Sequence, residues 1–303
     1  MTKGKTDQKQ AGYGVKTFPV PFDLEKIKDS IIIKTNSSNE LSKEQIFRKA
    51  LRLHSKGKIF KAAKLYQLFI DKGYKDYRVF SNYGAILKDL KRLKEAESIT
   101  RKAIRIKPRL ADAHSNLGII LKDKGKLKEA ELSTRKAIQI KPELASAHST
   151  LGNILRDSGR LVEAESSTRK AIKIKPDLAD AHSNLGTILK DMGKLKEAEL
   201  STRKAIELQP NFALAHSNLG NILRDFGKLK EAEVYIRKAI DLNPKLALAH
   251  SNLGIIMKDI GNLKEAELST LKAIELQPNF ALFHSNLGII LRANGQFADS
   301  DKY

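Results

Sequence analysis

The amino-acid sequence predicts an all-α solenoid, a row of antiparallel helical hairpins with a 34-residue period. Three observations predict it. The stretch Ala111-Asp112-Ala113-His114-Ser115-Asn116-Leu117-Gly118 returns with small changes at 145, 179, 213, 247 and 281, always 34 residues on. Within each copy, apolar and small residues recur at helical spacing. Gly and Pro punctuate every copy at the same two places. Self-similarity at such a period is the signature of a stacked repeat, which grows by adding units and not by enlarging one core.

The elements follow in chain order. Residues 1–42 lack the repeat and read as an N-terminal arm, disordered to about residue 15. In it Phe18-Pro19-Val20-Pro21-Phe22 reads as extended, and Ile31-Ile32-Ile33 as one short strand or a patch on the first hairpin. The solenoid spans 43–303. Its units are 43–76, which is degenerate, then 77–110, 111–144, 145–178, 179–212, 213–246, 247–280 and a partial unit 281–303. Positions below count from the first residue of each unit.

Each unit reads as two helices. In 111–144, His114, Leu117, Gly118 and Leu121 (positions 4, 7, 8 and 11) fall within about one third of the helical wheel, a buried stripe. Gly125, at position 15, supplies a left-handed stop between the helices. The second helix buries Leu127, Ala130, Ala137 and Ile138. Pro142, at position 32, ends the unit, because the residue before a proline avoids the helical region. Glu131 and Arg135 sit four apart on the exposed face, and the pair returns as Glu97/Arg101, Glu165/Arg169, Glu199/Arg203 and Glu233/Arg237. The partial last unit leaves no polar capping helix: either the stub is tolerated, or self-association or a longer parent protein covers the open end.

Composition narrows the function classes. Hydrophobic residues make up 41% and aromatics 6%, with no Trp, enough for many small interfaces and thin for one deep core. No window approaches the roughly 18 apolar residues of a membrane span. The basic start Met1-Thr2-Lys3-Gly4-Lys5 is followed by no apolar run, which argues against a secretory signal. Without Cys there is no disulfide, thiolate metal site or cysteine nucleophile. The resulting reading is a cytoplasmic soluble protein. The net charge of +21 is concentrated in residues 1–178, and units 43–76 and 77–110 each hold ten basic against three acidic side chains. That asymmetry points to an acidic partner or to solubilising surface lysine.

Leu at 7, Gly at 8, Leu at 11, Ala at 20, Ala at 27 and Pro at 32, six times in register, resemble the tetratricopeptide repeat. The resemblance covers 77–303 strongly and 43–76 weakly. It implies a right-handed superhelix whose first helices line the concave side, and a non-catalytic scaffold that binds protein or peptide. Two positions depart from the family pattern. Position 4, often Trp, is His114, His148, His182, His216, His250 and His284; position 24, often Tyr or Phe, is Thr100, Thr134, Thr168, Thr202 and Thr270. A His–Thr hydrogen bond inside each hairpin is the expected way to satisfy both.

Catalysis and metal binding find no support in these residues. Evenly spaced histidines on units separated by helix-packing distance, about 8–10 Å, cannot converge on one ion. Adjacent His and Ser point about 100° apart and cannot act as base and nucleophile. No phosphate loop, dinucleotide fingerprint or serine-hydrolase elbow occurs. No cofactor is expected.

The face opposite the buried stripe carries the binding candidates. Positions 2, 5, 6, 9, 12 and 13 lie there on the wheel, with Ser at 5 in most units. Position 6 is Asn82, Asn116, Asn184, Asn218, Asn252 and Asn286, broken by Thr150. Position 12 is basic throughout: Lys88, Lys122, Arg156, Lys190, Arg224, Lys258 and Arg292. Position 13 is Asp from Asp89 to Asp259. An amide side chain offers a donor and an acceptor, so a row of them can read a peptide backbone whatever its side chains. The row resembles the asparagine ladder in the repeat region of O-linked N-acetylglucosamine transferases. The same asparagines could instead hydrogen-bond between neighbouring helices. Lys and Asp side by side nearly cancel and read first as a zwitterionic rim, with orientation of an acidic peptide as the second role. Ser at position 5, where a related subclass places Lys, excludes a clamp for chaperone C-terminal carboxylates. Two further roles stay open: the targeting arm of a glycosyltransferase or sulfotransferase, and capture of an acidic polymer by the basic N-terminal half. Sparse aromatics argue against nucleic acid in the second.

Overall fold

The computed structural model describes residues 41–295, and every regular element among them is an α-helix. The order is α1 (Lys43–Ser55), α2 (Ile59–Asp71), α3 (Tyr77–Asp89), α4 (Leu93–Ile106), α5 (Ala111–Asp123), α6 (Leu127–Ile140), α7 (Ala145–Asp157) and α8 (Leu161–Ile174). It continues with α9 (Ala179–Asp191), α10 (Leu195–Leu208), α11 (Ala213–Asp225), α12 (Leu229–Leu242), α13 (Ala247–Ile260), α14 (Leu263–Leu276) and α15 (Ala281–Ala293). The expectations for the arm up to residue 40 and for the second helix of the partial unit lie outside the described residues.

The turn between the helices of a unit is set by position 15. In α5–α6 the Gly125 N–H donates to the Lys122 carbonyl and the Lys126 N–H to that of Leu121, both at 2.9 Å. These two bonds satisfy carbonyls that the helix end would otherwise orphan. Gly125 sits at φ 74°, and Gly159, Gly193, Gly227 and Gly295 lie within a few degrees of it. In unit 77–110 the place is held by Lys91 at φ 61°, where a side chain costs about 1–2 kcal/mol.

The helices of a hairpin pack closely because position 8 has no Cβ. A methyl group on Gly186 would collide with the Thr202 hydroxyl and stand 3.1 Å from the Ala198 carbonyl oxygen. Ala198 and Ala205 on the facing helix are fully buried. Between units, each first helix from α5 on packs on both helices of the unit before it, whereas second helices stand apart and meet through long charged side chains. The first helices therefore follow the inner, tighter curve.

The core extends beyond the stripe read from one wheel. Ile at position 10 (Ile120, Ile154, Ile188, Ile222, Ile256, Ile290) and Ala at position 3 are fully buried, or nearly so, against the neighbouring unit. Position 5 is likewise buried from Ser81 to Ser251, Ser217 completely, so Ser does not belong to the exposed face where another unit follows. An isolated hairpin would leave that flank open; the stacked neighbour closes it.

Among the described residues the expected His–Thr bond does not form. The Nε2–H of His182 donates to the Pro176 carbonyl at 2.8 Å, and the other five histidines of the row do the same to the proline six residues earlier, at 2.6–2.9 Å. Thr134, Thr168, Thr202 and Thr270 donate to the alanine carbonyl one turn back, at 2.8–2.9 Å. These histidines and threonines find nearer backbone acceptors, and His ties the inter-unit linker to the helix that follows it, whereas Thr100 is buried with its hydroxyl unpaired.

Two substitutions check this account by chemical denaturation. Lys91→Gly is expected to stabilise the array by about 1 kcal/mol, because the αL strain disappears. Gly186→Ala is expected to cost about 1–3 kcal/mol, because two helices must part to admit one methyl group.

Candidate peptide-binding surface

The inner face is built from α5, α7, α9, α11, α13 and α15, and the position 6 asparagines run along it. The Asn184 Nδ2–H donates to Ser149 Oγ at 2.9 Å, Asn218 to Ser183 at 3.0 Å, Asn252 to Ser217 at 3.0 Å and Asn286 to Ser251 at 2.9 Å. Asn218 also reaches Thr187 Oγ1 at 3.3 Å. Each bond spans two neighbouring first helices, so one donor of every amide is spent on the scaffold. The serine hydroxyl fixes the amide plane. All four asparagines are half-buried, and among the described residues no protein donor is bonded to their Oδ1 atoms.

The row does not extend unchanged to the N-terminal units. Asn82 is 1% exposed, with its amide nitrogen 3.4 Å from the Tyr66 hydroxyl, and so presents nothing to a ligand. Tyr66, at position 24 of unit 43–76, restores the aromatic that later units replace by Thr, and its bulk buries Asn82. Asn116 is half-buried with no hydrogen-bond partner among the described residues, while Ser81, one unit earlier, is buried with its hydroxyl unpaired.

The position 12 and 13 rows interlock. Lys122 pairs with Asp123 at 3.1 Å and with Asp157 at 3.9 Å, Arg156 with Asp191 at 2.6 Å, and Lys190 with Asp225 at 3.7 Å. Arg224 bonds Asp225 at 2.8 Å and lies 4.0 Å from Asp259, which Lys258 meets at 3.0 Å. Lys88 is buried against Asp89 at 2.9 Å. Arg292 is followed by Ala293, so its unit has no Asp at position 13. From Lys88 to Lys258 the basic row is thus paired with Asp, with each partly exposed pair worth at most about 1 kcal/mol.

A second ladder, on the outer face, was only half legible. The Glu–Arg pairs at positions 21 and 25 form as expected, Glu131–Arg135 and Glu199–Arg203 both at 2.8 Å. The arginines also cross to position 19 of the next unit, Arg203 to Glu231 and Arg237 to Glu265, both at 2.6 Å. In return, Lys124 and Lys194 reach back to Glu97 and Glu165 at 2.5 and 2.9 Å. The signal was a Glu recurring at both 19 and 21, one offset from the Arg within its helix and the other across the unit boundary.

The family models agree with this geometry. Tetratricopeptide-repeat models match residues 77–110, 111–144, 152–193, 179–212, 213–246 and 270–302. The chain is a tetratricopeptide-repeat protein. Among solved structures this repeat array superimposes on the Cut9–Hcn1 hetero-tetramer of the APC/C with a TM-score of 0.70 at 17% identity, over 86% of this chain and 53% of that one. It therefore spans about half the length of that relative. A tetratricopeptide repeat protein from Parabacteroides merdae ATCC 43184 gives 0.66 at 18% identity over 82% and 98% of the two chains. PilF of Pseudomonas aeruginosa gives 0.54 at 20% over 68% and 94%. At these identities the likeness is one of fold. No curated protein matches the sequence. Among the described residues, no helix is long and apolar enough to cross a membrane.

The outer ladder predicts a pH response. The Lys124 ammonium holds Glu97 below the ordinary glutamate value, and that of Lys194 does the same for Glu165. A depressed carboxylate stabilises the fold above its unfolded pKa, about 4.3, and that contribution is lost as pH falls through the folded value. The contribution of this ladder is expected to show as a Tm that falls below about pH 4. Circular dichroism melts at low and at molar salt check it, the acid effect shrinking at high salt.

Proposed function

We propose that this protein is a non-catalytic interaction scaffold that holds an extended peptide along its inner face. The observation that carries the reading is the half-spent amide row. Asn184, Asn218, Asn252 and Asn286 each give one N–H to the unit before and keep an oriented carbonyl oxygen that can accept from a peptide backbone N–H. Family membership supports the coarser part, binding of protein or peptide. The paired rim supplies polar walls of near-zero charge, so recognition rests on backbone hydrogen bonds more than on the ligand's charge. Asn116 extends the same line; Asn82 and Lys88 do not take part.

A displayed library of random linear peptides, selected on the full chain, supplies a probe. Asn184, Asn218 and Asn252 replaced together by Ala should weaken a selected peptide by tenfold or more in fluorescence anisotropy, with the helical circular dichroism retained. N-methylation of alternate backbone amides in the peptide should weaken it similarly. Unchanged affinity in both arms would remove the amide row from binding.

A further inference from the structure

The outer face holds a groove that the inner-face reading does not use. It lies between α4 and α6, floored by α5, with a volume of about 740 Å³. His114 and Leu117 form its floor, Arg101 and Ser133 belong to its two walls, and Leu132, 73% exposed, stands at its lip.

Three units further along, the chain fills the corresponding space itself. Position 23, which is Ser133 in the open groove, is Tyr235 there. The Tyr235 ring stacks on His216 with centroids 5.9 Å apart and planes 27° from parallel. Its hydroxyl accepts from Arg203 Nη1 at 2.8 Å, and the guanidinium lies 5.4 Å from the ring centroid. His216 is buried as a result.

The open groove repeats this machinery without the ring. Arg203 is clamped by Glu199 through Nε and by Glu231 through Nη2. Arg101 is clamped in the same way, Nε to Glu97 at 3.1 Å and Nη2 to Glu129 at 3.2 Å. Its Nη1, the atom that meets the phenol in the filled copy, has no acceptor among the described residues. His114 is tethered to Pro108 as His216 is to Pro210, so the two imidazole platforms sit alike. Ser133 turns away and donates to the His114 carbonyl at 3.0 Å. What is missing is a phenol.

We propose that this outer groove binds a tyrosine side chain presented by an acidic segment of a partner protein. The ring stacks on His114 beside Leu117 and under Leu132, and its hydroxyl accepts from Arg101 Nη1. Arg105 and Lys136 flank the groove, and the two N-terminal units carry most of the chain's positive charge, which selects acidic neighbours for the tyrosine. The proposal is independent of the inner face, since no asparagine of that row lines this groove.

The probe is the acetylated, amidated pentapeptide Glu-Glu-Tyr-Glu-Glu, with Phe and Leu versions, titrated into the 303-residue chain and followed by NMR of the His114 imidazole and Leu132 methyl resonances. Saturable shifts with Tyr bound more tightly than Phe, and Phe more than Leu, are expected. Ser133→Tyr copies a residue the fold already accommodates three units on, and should weaken the Tyr peptide at least tenfold. Tyr235→Ser should open the corresponding groove in its unit and bring His216 into the response. Arg101→Met should erase the preference for Tyr over Phe. The triple Asn→Ala variant should bind the pentapeptide as the parent does, which separates this site from the inner one. An unresponsive His114, or Ser133→Tyr binding like the parent, would overturn the proposal. A response appearing only after Tyr13→Leu would overturn it too, by making the chain's own N-terminal segment the occupant.

Discussion

The architecture depends on how closely the two helices of a hairpin approach at position 8. Without a Cβ, Gly186 lets its helix lie on the Ala198 carbonyl and the Thr202 hydroxyl; with one, the helices would have to separate. That separation would propagate, because each hairpin is the surface on which the next one packs. Ile188 and its equivalents can bury completely against the adjacent unit only if every hairpin has the same thickness. A one-dimensional stack has no other core to absorb a misfit.

The same constraint accounts for the polar interior. A helix pair this close leaves room for Thr where the family often has an aromatic ring, and the Thr hydroxyl is satisfied within its own helix. The histidines find their partner in the linker carbonyl. Neither bond crosses the hairpin, so the polar layer does not decide which helices pair; the small residues do. Where an aromatic returns, the local chemistry changes. Tyr66 buries Asn82, and Tyr235 buries His216 and closes a groove.

Stacking in register turns each recurring residue into a line, and the lines differ by face. On the inner side the charges interlock into a neutral zipper beside a row of half-used amides. On the outer side Glu and Arg bridge units while short side chains at position 23 leave the space between second helices open. Two surfaces of different chemistry thus arise from one repeated sequence, and the exceptions, Thr150 at position 6 and Tyr235 at position 23, mark where one unit differs from its neighbours.

The helical hairpins, their period, the αL turn and the Glu–Arg pairs four apart could all be read from the sequence, because each is fixed by contacts within about one unit. What the sequence left open were the relations between units. One helical wheel placed Ser at position 5 on the exposed face, where the neighbouring helix covers it and makes it the acceptor for Asn. It set Lys and Asp side by side but could not show that Lys122 also reaches Asp157, or that Arg203 reaches Glu231. The donors available to His and Thr were visible, whereas their acceptors depended on which backbone carbonyl stood nearest. Local periodicity determines the unit; which flank of it meets solvent, a neighbour or a ligand is decided only when the units are stacked.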